Sequence, residues 1–203
     1  MTEVVMYHHV QGLTTGVVAI AEELRRAGHT VHTPDLFDGR TFATIEDGMA
    51  FARETGFDAL LDRGVAAAEG LPSAGVVYAG FSFGVMPAQK LAQTRAGAAG
   101  ALLFHACLPV SEFGEHWPEG VPVQVHGMDG DPLFTEDGGD LDFARELVAS
   151  TDQAELFLYP GEEHLFTDSS LPAYDPAAAT LLVQRALEFL DRVSPGTSES
   201  EPS

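Results

Sequence analysis

The sequence predicts an α/β protein with a single doubly wound, mainly parallel sheet of about six strands flanked by helices. Short apolar runs of strand length alternate along the chain with longer segments of helical periodicity. The runs are apolar at consecutive rather than alternate positions, which is typical of strands covered on both faces. Polar residues of chemical interest follow directly after these runs, where parallel sheets hold their functional sites.

The predicted elements follow one another in a regular order, and glycine or proline marks several boundaries. The strands are expected at residues 3–8, 29–33, 76–79, 100–104, 121–125 and 155–159. The helices are expected at residues 16–27, 85–93, 141–148 and 176–193, with two more between residues 42 and 69. Gly28 is placed to end the first helix, Pro34 stops the second strand, and Gly56 breaks the pair of helices.

The length and composition indicate one globular domain. The chain has 203 residues, of which 45% are hydrophobic and 20% are charged, enough apolar material for a sizeable core. Residues 1–193 are predicted to form this domain. Residues 194–203 are rich in Pro, Gly, Ser and Glu, so we expect a disordered tail.

The charge and the termini exclude several classes of function. The net charge of −21 argues against binding to nucleic acid or to an anionic membrane surface. No apolar run approaches the ~20 residues of a membrane-spanning helix. The N-terminus lacks the layout of a signal peptide, so a cytoplasmic location is expected. The single cysteine, Cys107, excludes an internal disulfide or a Cys-rich zinc site, and no metal or organic cofactor is expected.

Residues 75–89 contain the pattern on which the functional interpretation depends. Gly80-Phe81-Ser82-Phe83-Gly84 has the form Gly-x-Ser-x-Gly and lies between a predicted strand and a predicted helix. This is the context of a nucleophile elbow, in which a sharp turn projects the serine hydroxyl above the sheet. Ser82 is therefore the predicted nucleophile.

A serine hydroxyl needs a base, and the base needs an orienting acid. His164 follows the last predicted strand and is the candidate base. Asp129 and Asp131 both follow the preceding strand, and Asp131 is preferred because Asp-Pro can start the next turn. The order Ser82, acid, His164 is the chain order of this class of hydrolytic site.

An oxyanion hole requires two backbone N–H donors. One is expected from Phe83, directly after the nucleophile, and the other from the loop after the first strand. Val10 is the preferred second donor and Gln11 the alternative. The candidates for the substrate pocket are His9, Gln11, Phe81, Phe104 and His105.

These motifs together resemble the dienelactone hydrolase family of α/β-hydrolases over residues 3–193. The matching segments are residues 9–13, 27–29, 34–39, 80–84, 131–132 and 159–166. The resemblance implies an α/β-hydrolase fold and hydrolysis of a small ester or lactone through an acyl-enzyme. The implied partner is this small-molecule substrate, and both a monomer and a weak dimer are left open.

Three positions depart from the family's pattern. Ser82 stands where the family's named enzymes have a cysteine, and His9 stands where they have a glutamate that primes the thiol. Asp168 stands where they have an arginine that grips the substrate carboxylate. These departures favour a neutral ester over dienelactone as the substrate. The alternatives are a non-catalytic binding protein of the same fold, and thioesterase or peptidase chemistry at the same three residues.

Overall fold

The computed structural model describes residues 1–72 and 74–194, and its core is a sheet of six parallel strands. The strands are β1 (Glu3–Tyr7), β2 (Thr30–His32), β3 (Val76–Phe81), β4 (Ala98–Phe104), β5 (Val123–Met128) and β6 (Ala154–Tyr159). The helices are α1 (Thr15–Arg26), α2 (Ile45–Thr55), α3 (Phe57–Ala67), α4 (Val85–Thr94), α5 (Asp140–Ser150) and α6 (Pro176–Val193). The predicted α/β fold class is confirmed.

The predicted boundaries differ from the observed ones mostly by a few residues at the ends of elements. Strand β3 runs on to Phe81 and therefore enters the predicted elbow. Ser194 directly follows α6 as its C-cap, and its N–H donates to the Leu190 carbonyl. The rest of the tail that the sequence predicts to be disordered, residues 195–203, lies outside the described residues.

Helices cover both faces of the sheet, which explains why the strands are apolar at consecutive positions. Helices α1 and α6 pack on one face through Leu24, Leu182 and Phe189. Helices α2 to α5 pack on the other face, where Leu60 and Leu91 are buried against the strands. The sheet is thus the middle layer of three, with a hydrophobic core on each side.

The order of the strands in the sheet indicates where a ligand-binding site is expected. The order is β2-β1-β3-β4-β5-β6, so the chain adds β2 on one side of β1 and every later strand on the other side. The order therefore reverses between β1 and β3, which pair in parallel from Glu3 to Tyr7. Open α/β sheets bind ligands in the crevice at the carboxyl ends of such a strand pair.

None of the helices in the described part of the chain is long and apolar enough to cross a membrane.

The core beneath α6 allows a test of the layer arrangement. Phe189 is fully buried and packs against Gly100 of β4, whereas Leu181 of the same helix is 40% exposed. We expect Phe189→Ala to lower the free energy of unfolding by about 3–5 kcal/mol because it leaves a cavity. Leu181→Ala should cost less than about 1 kcal/mol. Urea unfolding of both variants measures the difference, and equal losses would contradict the packing described.

Candidate active site

The turn after β3 has the strained backbone expected of a nucleophile elbow. Ser82 has a φ of +48°, a left-handed conformation that non-glycine residues rarely adopt. The chain then continues through the 3₁₀ turn Ser82–Gly84 into α4. A residue held in this region costs of order 1–3 kcal/mol, so the surrounding structure must impose it.

The two glycines of the motif allow the backbone to approach itself closely. A Cβ at Gly80 would lie 2.2 Å from the carbonyl oxygen of Gly84. A Cβ at Gly84 would lie 2.5 Å from the carbonyl oxygen of Tyr7 and 2.6 Å from that of His8. The elbow is therefore packed directly against the end of β1.

Three predicted residues from separate loops form a hydrogen-bonded series. Ser82 Oγ lies 2.7 Å from His164 Nε2, and His164 Nδ1 lies 2.6 Å from Asp131 Oδ2. The carboxylate of Asp131 can only accept, so Nδ1 carries the proton and Nε2 offers its lone pair to the serine hydroxyl. Asp131 is buried, and its other oxygen accepts the N–H of Leu133 at 2.9 Å.

Asp129, the alternative acid, lies outside this series. Its side chain is exposed, and its Oδ1 accepts the N–H of Gly161 at 3.3 Å. This contact joins the loop after β5 to the loop that carries His164. Of the two candidate acids, Asp131 is the one that contacts the histidine.

The two expected oxyanion donors lie on the wall of the same cavity as Ser82 and His164. Within residues 1–72 and 74–194, the Val10 N–H has no hydrogen-bond acceptor. The N–H of Gln11, the alternative donor, is occupied because it donates to His9 Nδ1 at 3.2 Å. Phe83 lies in the first turn of its helix, where N–H groups have no acceptor within the helix. In the described part of the chain, the N–H groups of Val10 and Phe83 therefore have no protein acceptor.

A cavity of about 490 Å³ opens beside Ser82, with a mainly apolar wall. Its apolar residues are Val10, Ile45, Met49, Phe57, Phe83, Met86, Ala106, Leu108 and Leu133. Its charged residues are Glu46, Arg53 and Asp140. Burial raises the pKa of Asp140, which accepts the Cys107 N–H at 2.7 Å. Helix α2 supplies four of these residues, and no local pattern in the sequence predicts that its face lines the cavity beside Ser82.

A second cavity, of about 310 Å³, meets the first at His164. Ile45 and Glu46 line both cavities, whereas Ser82 lines only the larger one. Gln11, a predicted pocket residue, lines the smaller cavity together with Glu163.

The other four pocket candidates line neither of these two cavities, in contrast to the prediction from the sequence. Phe81 and Phe104 pack together at 4.9 Å between ring centroids, in the core on the α1 and α6 side of the sheet. His105 is fully buried, and its Nε2 lies 2.9 Å from Thr167 Oγ1. His9 is also buried. Alternate residues of a strand point to opposite faces, and these phenylalanines point away from the cavity.

His9 contacts Asp168, so two of the departures from the family's pattern meet in space. His9 Nε2 lies 2.8 Å from Asp168 Oδ2, and both side chains are only 1% exposed. Burial alone would raise the pKa of Asp168, but hydrogen bonds from His9, Ser170 and Thr14 lower it to about 2. Neither side chain is accessible to a substrate.

Comparison of the whole sequence with protein families agrees with this geometry. The model of the dienelactone hydrolase family matches residues 1–194. The chain belongs to the dienelactone hydrolase family. No curated protein sequence matches it.

Solved structures of dienelactone hydrolase-like proteins share the fold. A protein named m3DLH superposes with a TM-score of 0.75 at 21% identity, covering 95% of this chain and 87% of its own. A dienelactone hydrolase-like promiscuous phosphotriesterase from metagenomic libraries gives a TM-score of 0.71 at 18% identity, with coverages of 95% and 87%. Esterase 2 of Thermogutta terrifontis gives 0.59 at 16% identity, with coverages of 96% and 85%. These likenesses establish an α/β-hydrolase fold.

The close approach at the elbow gives a prediction about stability. We expect Gly80→Ala to lower the free energy of unfolding by at least about 2 kcal/mol, because the new methyl group would collide with backbone. Gly70→Ala is the control, since a Cβ there meets open space and the φ of Gly70 is not positive. It should change stability by no more than about 0.5 kcal/mol. Thermal or urea unfolding distinguishes the two, and a Gly80→Ala protein as stable as the control would show that the elbow can relax.

Proposed function

We propose that this protein is a serine hydrolase that cleaves a small neutral ester or lactone through an acyl-enzyme. The observation that carries the proposal is the series Ser82–His164–Asp131, hydrogen-bonded at 2.7 and 2.6 Å beside a mainly apolar cavity. The strained backbone at Ser82 adds support, because the cost of such a conformation is expected at functional residues.

The proposed reaction proceeds in two halves and uses protein groups and water. Ser82 Oγ attacks the ester carbonyl carbon while His164 Nε2 takes the hydroxyl proton, and the carbonyl electron pair moves to oxygen. When the tetrahedral intermediate collapses, the C–O bond to the alcohol breaks and His164 returns the proton to the leaving oxygen. Water then repeats the attack on the acyl-enzyme. Asp131 keeps the imidazole in the required tautomer and stabilises the imidazolium.

The N–H groups of Phe83 and Val10 are proposed to hold the developing oxyanion. Both residues line the cavity beside Ser82, and the Val10 N–H has no other acceptor in the described segments. Donors of this kind stabilise charge that appears only in the transition state, which is why they contribute strongly to the rate.

The charges around the cavity support a neutral substrate. Its wall carries the carboxyl groups of Glu46 and Asp140 against the single guanidinium of Arg53. Asp168, at the position of the family's substrate-binding arginine, is itself a buried acid paired with His9. An anionic substrate such as dienelactone would meet an unfavourable field here, in a chain whose net charge is −21.

The two cavities suggest how the ester is oriented. The acyl group is proposed to occupy the larger apolar cavity next to Ser82 and the two oxyanion donors. Because His164 must protonate the leaving oxygen, the alcohol group is proposed to extend into the smaller cavity that His164 borders. Thioester or peptide cleavage would use the same three residues, so these reactions remain the alternative chemistry. A cytoplasmic location stays a prediction from the sequence.

Covalent labelling tests the nucleophile. We expect p-nitrophenyl acetate to give a burst of p-nitrophenol with the wild-type protein, and a fluorophosphonate probe to label it. Ser82→Ala should abolish both and lower kcat by about four to six orders of magnitude. Ser111→Ala, at an exposed serine, is the matched control and should behave as wild type.

The outcomes of this assay separate the candidate functions. A wild-type protein with neither a burst nor labelling would favour the non-catalytic binding protein. Efficient turnover of dienelactone alongside inactivity on neutral short esters would contradict the proposed substrate class. Faster acylation by thioesters or amides than by matched esters would favour the alternative chemistry.

Narrowing the larger cavity tests the orientation of the acyl group. Met49 of α2 lines this cavity, whereas the neighbouring Ala50 is exposed. We expect Met49→Trp to lower kcat/KM for p-nitrophenyl hexanoate at least about tenfold more than for the acetate, since a lost hydrophobic fit is worth roughly 1–3 kcal/mol. Ala50→Trp should leave the ratio unchanged. An unchanged ratio in Met49→Trp would place the acyl group elsewhere.

A further inference from the structure

Asp168 connects three parts of the molecule around the proposed active site. It follows His164 by four residues, and its carboxylate accepts hydrogen bonds from His9 Nε2 at 2.8 Å and from the hydroxyl of Thr14. Its other oxygen accepts the N–H and the hydroxyl of Ser170, at 2.8 and 2.5 Å. The buried carboxylate therefore has donors on both oxygens, and its low pKa keeps it charged near neutral pH.

His9 links the carboxylate of Asp168 to the loop after β1. The carboxylate of Asp168 can only accept, so His9 carries its proton on Nε2 and is left with a lone pair on Nδ1. That lone pair accepts the N–H of Gln11 at 3.2 Å. Both ring nitrogens are thus used, one toward Asp168 and one toward the loop.

Val10 lies between His9 and Gln11, and its N–H has no acceptor among the described residues. The Gln11 N–H is bound by the His9 ring, and the Gly12 N–H donates to the His9 carbonyl at 3.0 Å. The loop conformation leaves the Val10 N–H without an acceptor in the described residues, and Val10 lines the same cavity as Ser82.

We propose that His9 and Asp168 act as a positioning pair that holds the Val10 N–H in the oxyanion hole. The pair connects the loop that carries Val10 to the segment immediately after His164. The Val10 N–H and the His164 ring therefore keep a fixed position relative to Ser82. Neither residue touches substrate. This inference rests on the proposed serine hydrolase function, and it concerns transition-state stabilisation rather than substrate binding.

The substitution Asp168→Asn probes the pair with little change of shape. An amide presents an NH₂ group either to Ser170, which also donates, or to His9. In the second case His9 would have to accept with Nε2, and its Nδ1–H would face the Gln11 N–H. His9→Phe is the second variant, because it keeps a buried ring and removes both hydrogen bonds.

The measurement compares a transition-state analogue with the substrate. Ser82 Oγ adds to the carbonyl carbon of a short alkyl trifluoromethyl ketone while His164 Nε2 takes the hydroxyl proton. The carbonyl electron pair then becomes an oxyanion in the proposed hole. We expect both variants to weaken inhibition by this ketone about 10- to 100-fold and to lower kcat for p-nitrophenyl acetate by the same factor. KM should stay within about twofold of wild type, because the interaction is made in the transition state.

Two controls distinguish positioning from a general loss of stability. Ser170→Ala removes the hydroxyl that donates to Asp168 and leaves the His9 contact, so ketone inhibition and kcat should be unchanged. The double variant His9→Phe/Asp168→Asn should lose no more than about the larger single loss, since members of one unit are not additive. Melting temperatures are measured for every variant.

The inference is overturned if Asp168→Asn and His9→Phe bind the ketone as wild type does, whatever their melting temperatures. It is equally overturned if KM and the melting temperature change while kcat and ketone inhibition do not. A wild-type protein that the ketone does not inhibit and the fluorophosphonate does not label would overturn the proposed function, and this inference with it.

Discussion

The proposed active site depends on a close backbone contact between the elbow and the end of β1. Gly84 lies so close to the carbonyl oxygens of Tyr7 and His8 that a Cβ at this position would collide with both. This contact sets the Ser82 turn beside the loop that carries Val10. The sheet order reverses at the same strand pair, which leaves a crevice open above it. Ser82, the two proposed oxyanion donors and the cavity are thus brought together by one constraint.

The chain has the fold of its family but a different arrangement of charge around the site. Two of its three departures from the family's pattern, His9 and Asp168, contact each other and are both buried. The carboxylate of Asp168 needs no cationic group of a substrate as a partner, since hydrogen bonds from His9 and Ser170 satisfy it. The larger cavity keeps one arginine, Arg53, among carboxyl groups and apolar side chains. This arrangement of charge is consistent with the proposed neutral substrate.

Local patterns predicted much of the site but left some choices open. The spacing of the two glycines predicts Ser82 as the nucleophile, and the position of His164 after a strand predicts it as the base. The choice between Asp131 and Asp129 needed the structure, in which only Asp131 reaches the histidine. Phe81 is expected in the pocket but packs in the core on the other side of the sheet. A continuous apolar strand has no alternation that reveals which face a side chain takes.

The order of strands and helices, the Gly-x-Ser-x-Gly turn and the family resemblance follow from short patterns along the chain, so they can be predicted from the sequence. The residues of the cavity wall and the partners of His9 and Asp168 follow only from the packing of the folded chain. Those two residues are 159 positions apart, and Met49 lines the same cavity as Ser82 because α2 packs on this face of the sheet. Such contacts depend on how separate segments pack on a common sheet, and no local periodicity records that packing.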